Sequence, residues 1–266
     1  MPLVNNNGVR IHYEVEGEGP ALIMQHGFAA TCWTWRDFGY AQELDKSYRI
    51  IRVDARAHGE SDKPHDPVLY RPEIIARDYT AILDALGIER CHYIGYSMGA
   101  RIGLSCLARY ALPRLNSLIL GGVSLYRNVN PIFDRPSDGF SRMLEEAAEK
   151  GMDVWLAYRE KMVGTLTPAQ KARQLANDPR ALLTMQKALS EWPGAEDILP
   201  QLKIPILIFV GDADPAYTGA KEAAARMPDA TFVTVPGMNH DQALMHSELV
   251  LPHVKGFLAE VTGKVA

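Results

Sequence analysis

Gly95-Tyr96-Ser97-Met98-Gly99 is the stretch on which the reading of this 266-residue chain turns. It fits a G-x-S-x-G pattern and lies between an apolar run, Cys91 to Tyr96, and a helical run that opens at Met98. In that frame the serine sits on a sharp strand-to-helix turn. The flanking glycines have a steric reason, because side chains at 95 or 99 would run into neighbouring backbone. Such a turn pushes the serine hydroxyl out at the carboxyl end of a sheet. It also sets the serine at a helix N-terminus, where amides and the helix dipole favour developing negative charge.

Outward from the turn, short apolar runs alternate with helical patterns. Val9 to Val15 reads as an edge strand. Ala21 to Gln25, Arg49 to Val53, Leu115 to Leu120, Ile204 to Val210 and Thr231 to Val235 read as further strands. Most are continuously apolar rather than alternating, as expected of parallel strands covered on both faces. Pro72 to Leu86 forms an apolar stripe that stops at Gly87, and helices are expected at Met98 to Tyr110, Gly219 to Met227 and Pro252 to Val261. The expected fold is α/β, a doubly wound and mostly parallel sheet. From about Tyr126 to Trp192 the rhythm breaks and the pattern is helical throughout, with Thr167-Pro168 as an N-cap pair. Residues 125–194 therefore read as a helical cap inserted into a core made of 1–124 and 195–266.

A serine hydroxyl is a poor nucleophile near neutrality and needs a base, which in turn needs an orienting carboxylate. Among eight histidines, His240 follows the last apolar strand by a short Gly-containing loop, which puts it at the carboxyl edge; His246 is its rival. The strand ending at Val210 runs into Gly211-Asp212-Ala213-Asp214-Pro215. Asp214 is the expected acid, with Asp212 read as a turn-capping residue. Two backbone amides are needed for the oxyanion, and the expected donors are Met98 and Phe28, the latter in His26-Gly27-Phe28. His26 reads as a loop-shaping residue, and Asp54 as one that organises its own loop with Arg56 and His58.

Composition narrows the function classes. Basic residues number 28 and acidic residues 32, a net charge of −4, which argues against a nucleic-acid-binding face. No apolar run reaches the length of a membrane span, and no leader pattern is visible at Met1-Pro2-Leu3-Val4-Asn5. The three cysteines, Cys32, Cys91 and Cys106, have neither a disulfide-framework nor a zinc-site spacing. The expectation is a cytoplasmic protein without metal or organic cofactor and with a small-molecule substrate.

Taken together, His26-Gly27-Phe28, the Asp54-Ala55-Arg56-Ala57-His58-Gly59-Glu60-Ser61 stretch, the Ser97 turn, the Gly211-to-Asp214 loop and the His240 loop resemble the α/β-hydrolase fold family along the whole chain. Within it the chain looks most like carboxylesterases, lactonases and cofactor-free perhydrolases. Relatives that act on haloalkanes or epoxides resemble it in outline but use an aspartate where Ser97 stands. Two departures stand out: Ala57 replaces a frequent glycine, and Asn239 replaces the usual small glycine before the histidine. The resemblance implies a serine esterase forming an acyl-enzyme. A lactonase, perhydrolase or C–C bond hydrolase with the same triad also fits, as does a ligand-binding sensor on this fold. Trp33, Tyr96, Tyr126, Trp155 and Met238 are expected to line an apolar pocket, together with Phe28, Trp35 and Met98, and no cationic anchor stands out beyond Arg101 and Arg127.

Overall fold

The computed structural model describes residues 2–124 and 139–263. Its eight strands are β1 (Leu3–Asn6), β2 (Val9–Glu16), β3 (Ala21–Gln25), β4 (Arg49–Val53), β5 (Cys91–Tyr96), β6 (Leu115–Gly121), β7 (Ile206–Gly211) and β8 (Ala230–Val235). They form one sheet in the order β1-β2-β4-β3-β5-β6-β7-β8. β2 runs antiparallel to both β1 and β4, and every pairing from β4 to β8 is parallel.

The apolar runs behave as parallel strands should. Ile23 and Tyr93 point into one core layer, whereas their chain neighbours Leu22, Met24 and Ile94 point into the other. Successive strand side chains face opposite ways, so burial on both faces needs an unbroken apolar run. One layer is closed by α3 (Pro72–Ala85), the other by α1 (Thr34–Asp37), α2 (Tyr40–Leu44) and α11 (Ser247–Gly263). The edge assignment changes: β2 is not an edge strand, because the short β1 pairs along its outer side through Leu3 to Asn6. The helix expected over Met98 to Tyr110 is also divided. It is α-helical in α4 (Met98–Ile102), π-helical over Gly103–Ala108 and α-helical again at Arg109 and Tyr110. A wider turn of this kind is common near functional sites.

Between β6 and β7 lie α5 (Gly139–Lys150), α6 (Met152–Val163), α7 (Pro168–Leu175) and α8 (Pro179–Glu191). α7 opens on a reciprocal capping box between Thr167 and Gln170. α5, α6 and α8 share a cluster of Leu144, Ala147, Met152, Trp155 and Leu182 with Ala29 of the loop after β3. On its other side α8 contributes Met185 and Leu189 to the sheet's own core, so the helical layer and the sheet share apolar interior there. The remaining helices are α9 (Tyr217–Ala224) and α10 (His240–Met245). Pro252 lies inside α11 rather than at its start. Among the described residues no helix is long and apolar enough to cross a membrane, and Cys32, Cys91 and Cys106 are free and buried.

The parallel strands end on one rim, and the loops that follow β3, β5, β7 and β8 meet there. Open α/β sheets place their ligand sites at such a rim. The approach of β5's turn to the β3 loop is what glycine permits. A Cβ at Gly99 would stand 2.3 Å from the Gln25 carbonyl oxygen, and one at Gly95 2.4 Å from Gly99 backbone. Gly99→Ala is therefore expected to cost roughly 3 kcal/mol or more. Gly256→Ala, in open space on α11, should instead stabilise by about 0.5–1 kcal/mol through the helix preference of alanine. Denaturant unfolding of the two variants checks both, and a neutral Gly99→Ala would contradict the packing described.

Candidate active site

Ser97 stands between β5 and α4 at φ 53° and ψ −111°, a region that L-residues rarely occupy. Such a residue costs about 1–3 kcal/mol and persists only where its surroundings over-determine it. Here they do: Ser97 N–H donates to the Gly121 carbonyl at 2.8 Å, and the Ser97 carbonyl accepts from Arg101 N–H at 3.0 Å. The strain aims the side chain at the rim and leaves the residue only 6% exposed.

The loops after β7 and β8 are tied together before either reaches the serine. Asp212 Oδ1 accepts from Gly237 N–H at 2.7 Å, and Ala213 N–H donates to the Met238 carbonyl at 3.1 Å. Asp212 is thus a turn-bracing residue, as its position predicts. Asp214 is buried, with Oδ1 accepting from Ala216 N–H at 2.8 Å and Oδ2 lying 2.7 Å from His240 Nδ1. His240 Nε2 lies 3.0 Å from Ser97 Oγ. The carboxylate can only accept, so Nδ1 carries the ring proton and the Nε2 lone pair faces the serine hydroxyl. His246, the rival base, bonds to exposed Glu248 instead. Asn239, one of the departures from the family pattern, caps α10 through a reciprocal box with Gln242. That cap fixes the helix whose first residue is His240.

Burial disfavours a charged His240, but the hydrogen bond and charge of Asp214, with a further contribution from Asp241, outweigh it and raise the imidazole pKa above its usual 6.5. Tyr96 adds a contact that sequence reasoning missed: its hydroxyl donates to the His240 carbonyl, and its ring lies 5.5 Å from the imidazole. No motif signals that role, because it depends on where β5 and the β8 loop meet.

The loop after β3 is shaped by neutral histidines. His26 Nδ1–H donates to the Gly27 carbonyl at 2.7 Å, and its Nε2 accepts from Ala55 N–H at 3.2 Å. His58 Nδ1–H donates to the Arg56 carbonyl at 2.8 Å, and its Nε2 accepts from Ala29 N–H at 3.0 Å. Asp54 joins in, accepting from Cys32 N–H at 2.7 Å and Glu60 N–H at 3.1 Å. Arg56 turns away and pairs with buried Asp78. Ala57 holds φ 70°, the conformation that explains the family's preference for glycine there. Gly27 and Phe28 are thereby set beside the serine; a Cβ on Gly27 would lie 3.6 Å from Ser97 Cβ. Met98 opens α4 with its side chain buried, so only its main-chain amide is available to the rim. His12, Cys32 and Asp54 bring candidate metal-ligating atoms within 4.8 Å of one another. The Asp54 oxygens there already accept from Cys32 N–H, Glu60 N–H and His12 Nδ1 at 2.7 Å.

A cavity of about 520 Å³ opens over Ser97 and His240. Phe28 and Tyr96 belong to its wall, as expected; Phe140, Tyr158, Val163 and Leu166 from the helical layer extend it. Trp33, Trp35, Met98, Trp155 and Met238 are not in its wall, which corrects the expected lining; Trp35 and Met98 are wholly buried in the core. Trp33 is 42% exposed, with the Arg52 and Arg173 guanidinium groups 5.1 and 5.9 Å from its ring centroid. Trp155 is buried between Phe140 and Tyr158, its indole N–H donating to Gln174. Met238 packs against the core beneath the β8 loop. Tyr126 and Arg127 lie outside the described residues, and Arg101 is buried. The wall is less apolar than expected, because Arg159 and Arg173 line it, paired with Asp241 and Asp37.

A family model described as alpha/beta hydrolase fold matches residues 20–246. Epoxide hydrolase 4 of Mus musculus is 34% identical over 101 residues, which cover 37% of this chain and 28% of that protein. The chain spans 27% to 34% of the length of this protein and of two other epoxide hydrolases it matches. Among solved structures, an enol-lactonase from Burkholderia xenovorans LB400 superposes with a TM-score of 0.81 at 21% identity, covering 97% of this chain and 100% of the other. An esterase from Thermogutta terrifontis gives 0.77 at 22% identity, covering 98% of each.

The histidine network predicts acid sensitivity. Burial lowers the pKa of His26, pushes His58 down to about 3 and His92 down to about 4. An unfolded imidazole titrates near 6.5, so below that the unfolded chain binds protons that the folded chain refuses. Each such group costs about 1.4 kcal/mol of stability per pH unit. His12 and His240 have raised values and oppose this in part, since their contribution is present below 6.5 and lost at higher pH. The urea midpoint is therefore expected to fall between pH 7.5 and 5, and to fall less in His58→Asn. A midpoint that rises on acidification would contradict the network.

Proposed function

The chain belongs to the α/β-hydrolase fold family, and from that premise we propose that it is a serine hydrolase cleaving carboxylic esters of small to medium apolar substrates through an acyl-enzyme. The observation that carries this reading is the unbroken chain from Ser97 Oγ to His240 Nε2 at 3.0 Å and from His240 Nδ1 to Asp214 Oδ2 at 2.7 Å.

The steps follow from that chain. Ser97 Oγ attacks the ester carbonyl as its proton passes to His240 Nε2. Asp214 holds the reactive tautomer and stabilises the imidazolium. The Phe28 and Met98 amides receive the oxyanion; one such donor is worth about 2.7–4 kcal/mol of barrier. Collapse of the tetrahedral intermediate breaks the C–O bond, and His240 returns the proton to the departing alcohol. Water then enters, gives its proton to His240 and releases the acid. The four helices between β6 and β7 act as the cap over this site, and the aromatic part of the cavity wall receives the apolar portion of the substrate.

The nucleophile's chemistry separates this reading from that of the epoxide hydrolases among the relatives. Epoxide opening by Ser97 would leave an alkyl ether on the enzyme, which water does not hydrolyse under mild conditions. Acyl transfer leaves an ester, which water does hydrolyse. A lactone is an ester whose alcohol stays tethered, so substrate profiling should include both.

Ser97→Ala is expected to remove p-nitrophenyl butyrate turnover by at least about 10³-fold, and Asp214→Asn to lower it by about 10⁴-fold through the wrong tautomer. Unfolding midpoints of Ser97→Ala should stay near the parent's. Because His240 must be neutral and its pKa is raised, kcat/KM should fall on acidification through an inflection above 6.5. Retained turnover in Ser97→Ala, or a flat profile from pH 5 to 8, would contradict the proposal.

A further inference from the structure

His240 has a second carboxylate beside it. Asp241 is its chain neighbour, in the first turn of α10, and lines the same cavity. Its Oδ1 accepts from Arg159 Nη2 of α6 at 3.0 Å, and both side chains are only about a quarter exposed, at 26% and 28%. Arg159 comes from a different layer of the fold, across the cavity from the core. The other charged and titratable groups facing His240 are already placed. Asp214 comes from the β7 loop, the Ser97 hydroxyl from the turn after β5, and the Tyr96 hydroxyl, bonded to the His240 carbonyl, from β5 itself.

An unpaired carboxylate adjacent to the base would hold a proton on the imidazole when the reaction needs it free. We propose that Arg159 is a positioning residue of the active site: by pairing with Asp241 it cancels that carboxylate's charge and leaves Asp214 as the carboxylate that governs His240. The effect of the two groups on the imidazole has opposite sign, Asp241 favouring its charged form and Arg159 its neutral form. Arg159 reaches Asp241 from α6, so the helical layer takes part in tuning the base. This role rests on the esterase reading, but its electrostatic content can be measured without turnover.

The test is the NMR titration of the His240 imidazole, assigned by loss of its signal in His240→Gln, in four further proteins. Arg159→Met should move the His240 midpoint up by about half a pH unit, the size expected of one charge at this range in a partly wet site. Arg159→Lys should restore it. Asp241→Asn should move it down, and Arg159→Met/Asp241→Asn should return it near the parent value. The acid limb of kcat/KM for p-nitrophenyl butyrate should move with it. If Arg159 is only a strut, Arg159→Met and Asp241→Asn shift the midpoint in the same direction or not at all, and the double variant does not recover; either result overturns the inference. Turnover retained by Ser97→Ala would instead overturn the esterase reading while leaving the titration result standing.

Discussion

The contact on which the rim depends is the 3.0 Å approach of His240 Nε2 to Ser97 Oγ. Neither residue reaches that position by local preference. The serine is forced to φ 53° by a turn that two glycines make possible. The histidine is carried there by a capped helix, by the Tyr96 hydroxyl on its carbonyl, and by a loop pinned to its neighbour through Asp212 and Ala213. The parallel sheet supplies the remaining condition, bringing the ends of β5, β7 and β8 to one edge. Core packing thus supports an arrangement that its own members could not hold.

Much of the buried polarity serves the loops rather than the chemistry. His26, His58 and Asp54 are buried, yet none makes the proposed bond changes. Their ring nitrogens and carboxylate oxygens take up backbone amides of the loops after β3 and β4, groups that would otherwise be buried without partners. An unsatisfied buried amide costs about 1–3 kcal/mol. Keeping these histidines neutral keeps the loop bearing Phe28 in place beside Ser97. The helical layer meets the core by a different means, through Arg159 with Asp241 and Arg173 with Asp37.

Much of this was legible in the residues because its causes are local. The bounds of β3, β4 and β5 follow from apolar runs closed by turn residues, and Ser97, Asp214 and His240 each follow such a run. What escaped was decided by partners distant in sequence. β1 is four residues with no apolar run, visible only through its pairing with β2, which therefore looked like an edge. The widening of the turn after Ile102 leaves no mark in composition. Trp33, Trp155 and Met238 were reasonable lining candidates by size, but side-chain direction is set by tertiary packing, and each spends its bulk elsewhere. Arg159 belongs to no motif, and its meaning arises only once α6 lies beside α10.

In the proposed mechanism Ser97 is a nucleophile because His240 makes it one. Reaction with an aryl alkylphosphonate ester, followed by mass mapping of the peptides, tests it most directly. A phosphonyl group takes the place of the acyl carbonyl and stays on the attacking oxygen. One adduct is expected, on Ser97, formed rapidly in the parent protein and lost in His240→Gln. An adduct on another residue, or Ser97 labelled equally fast without the histidine, would contradict it.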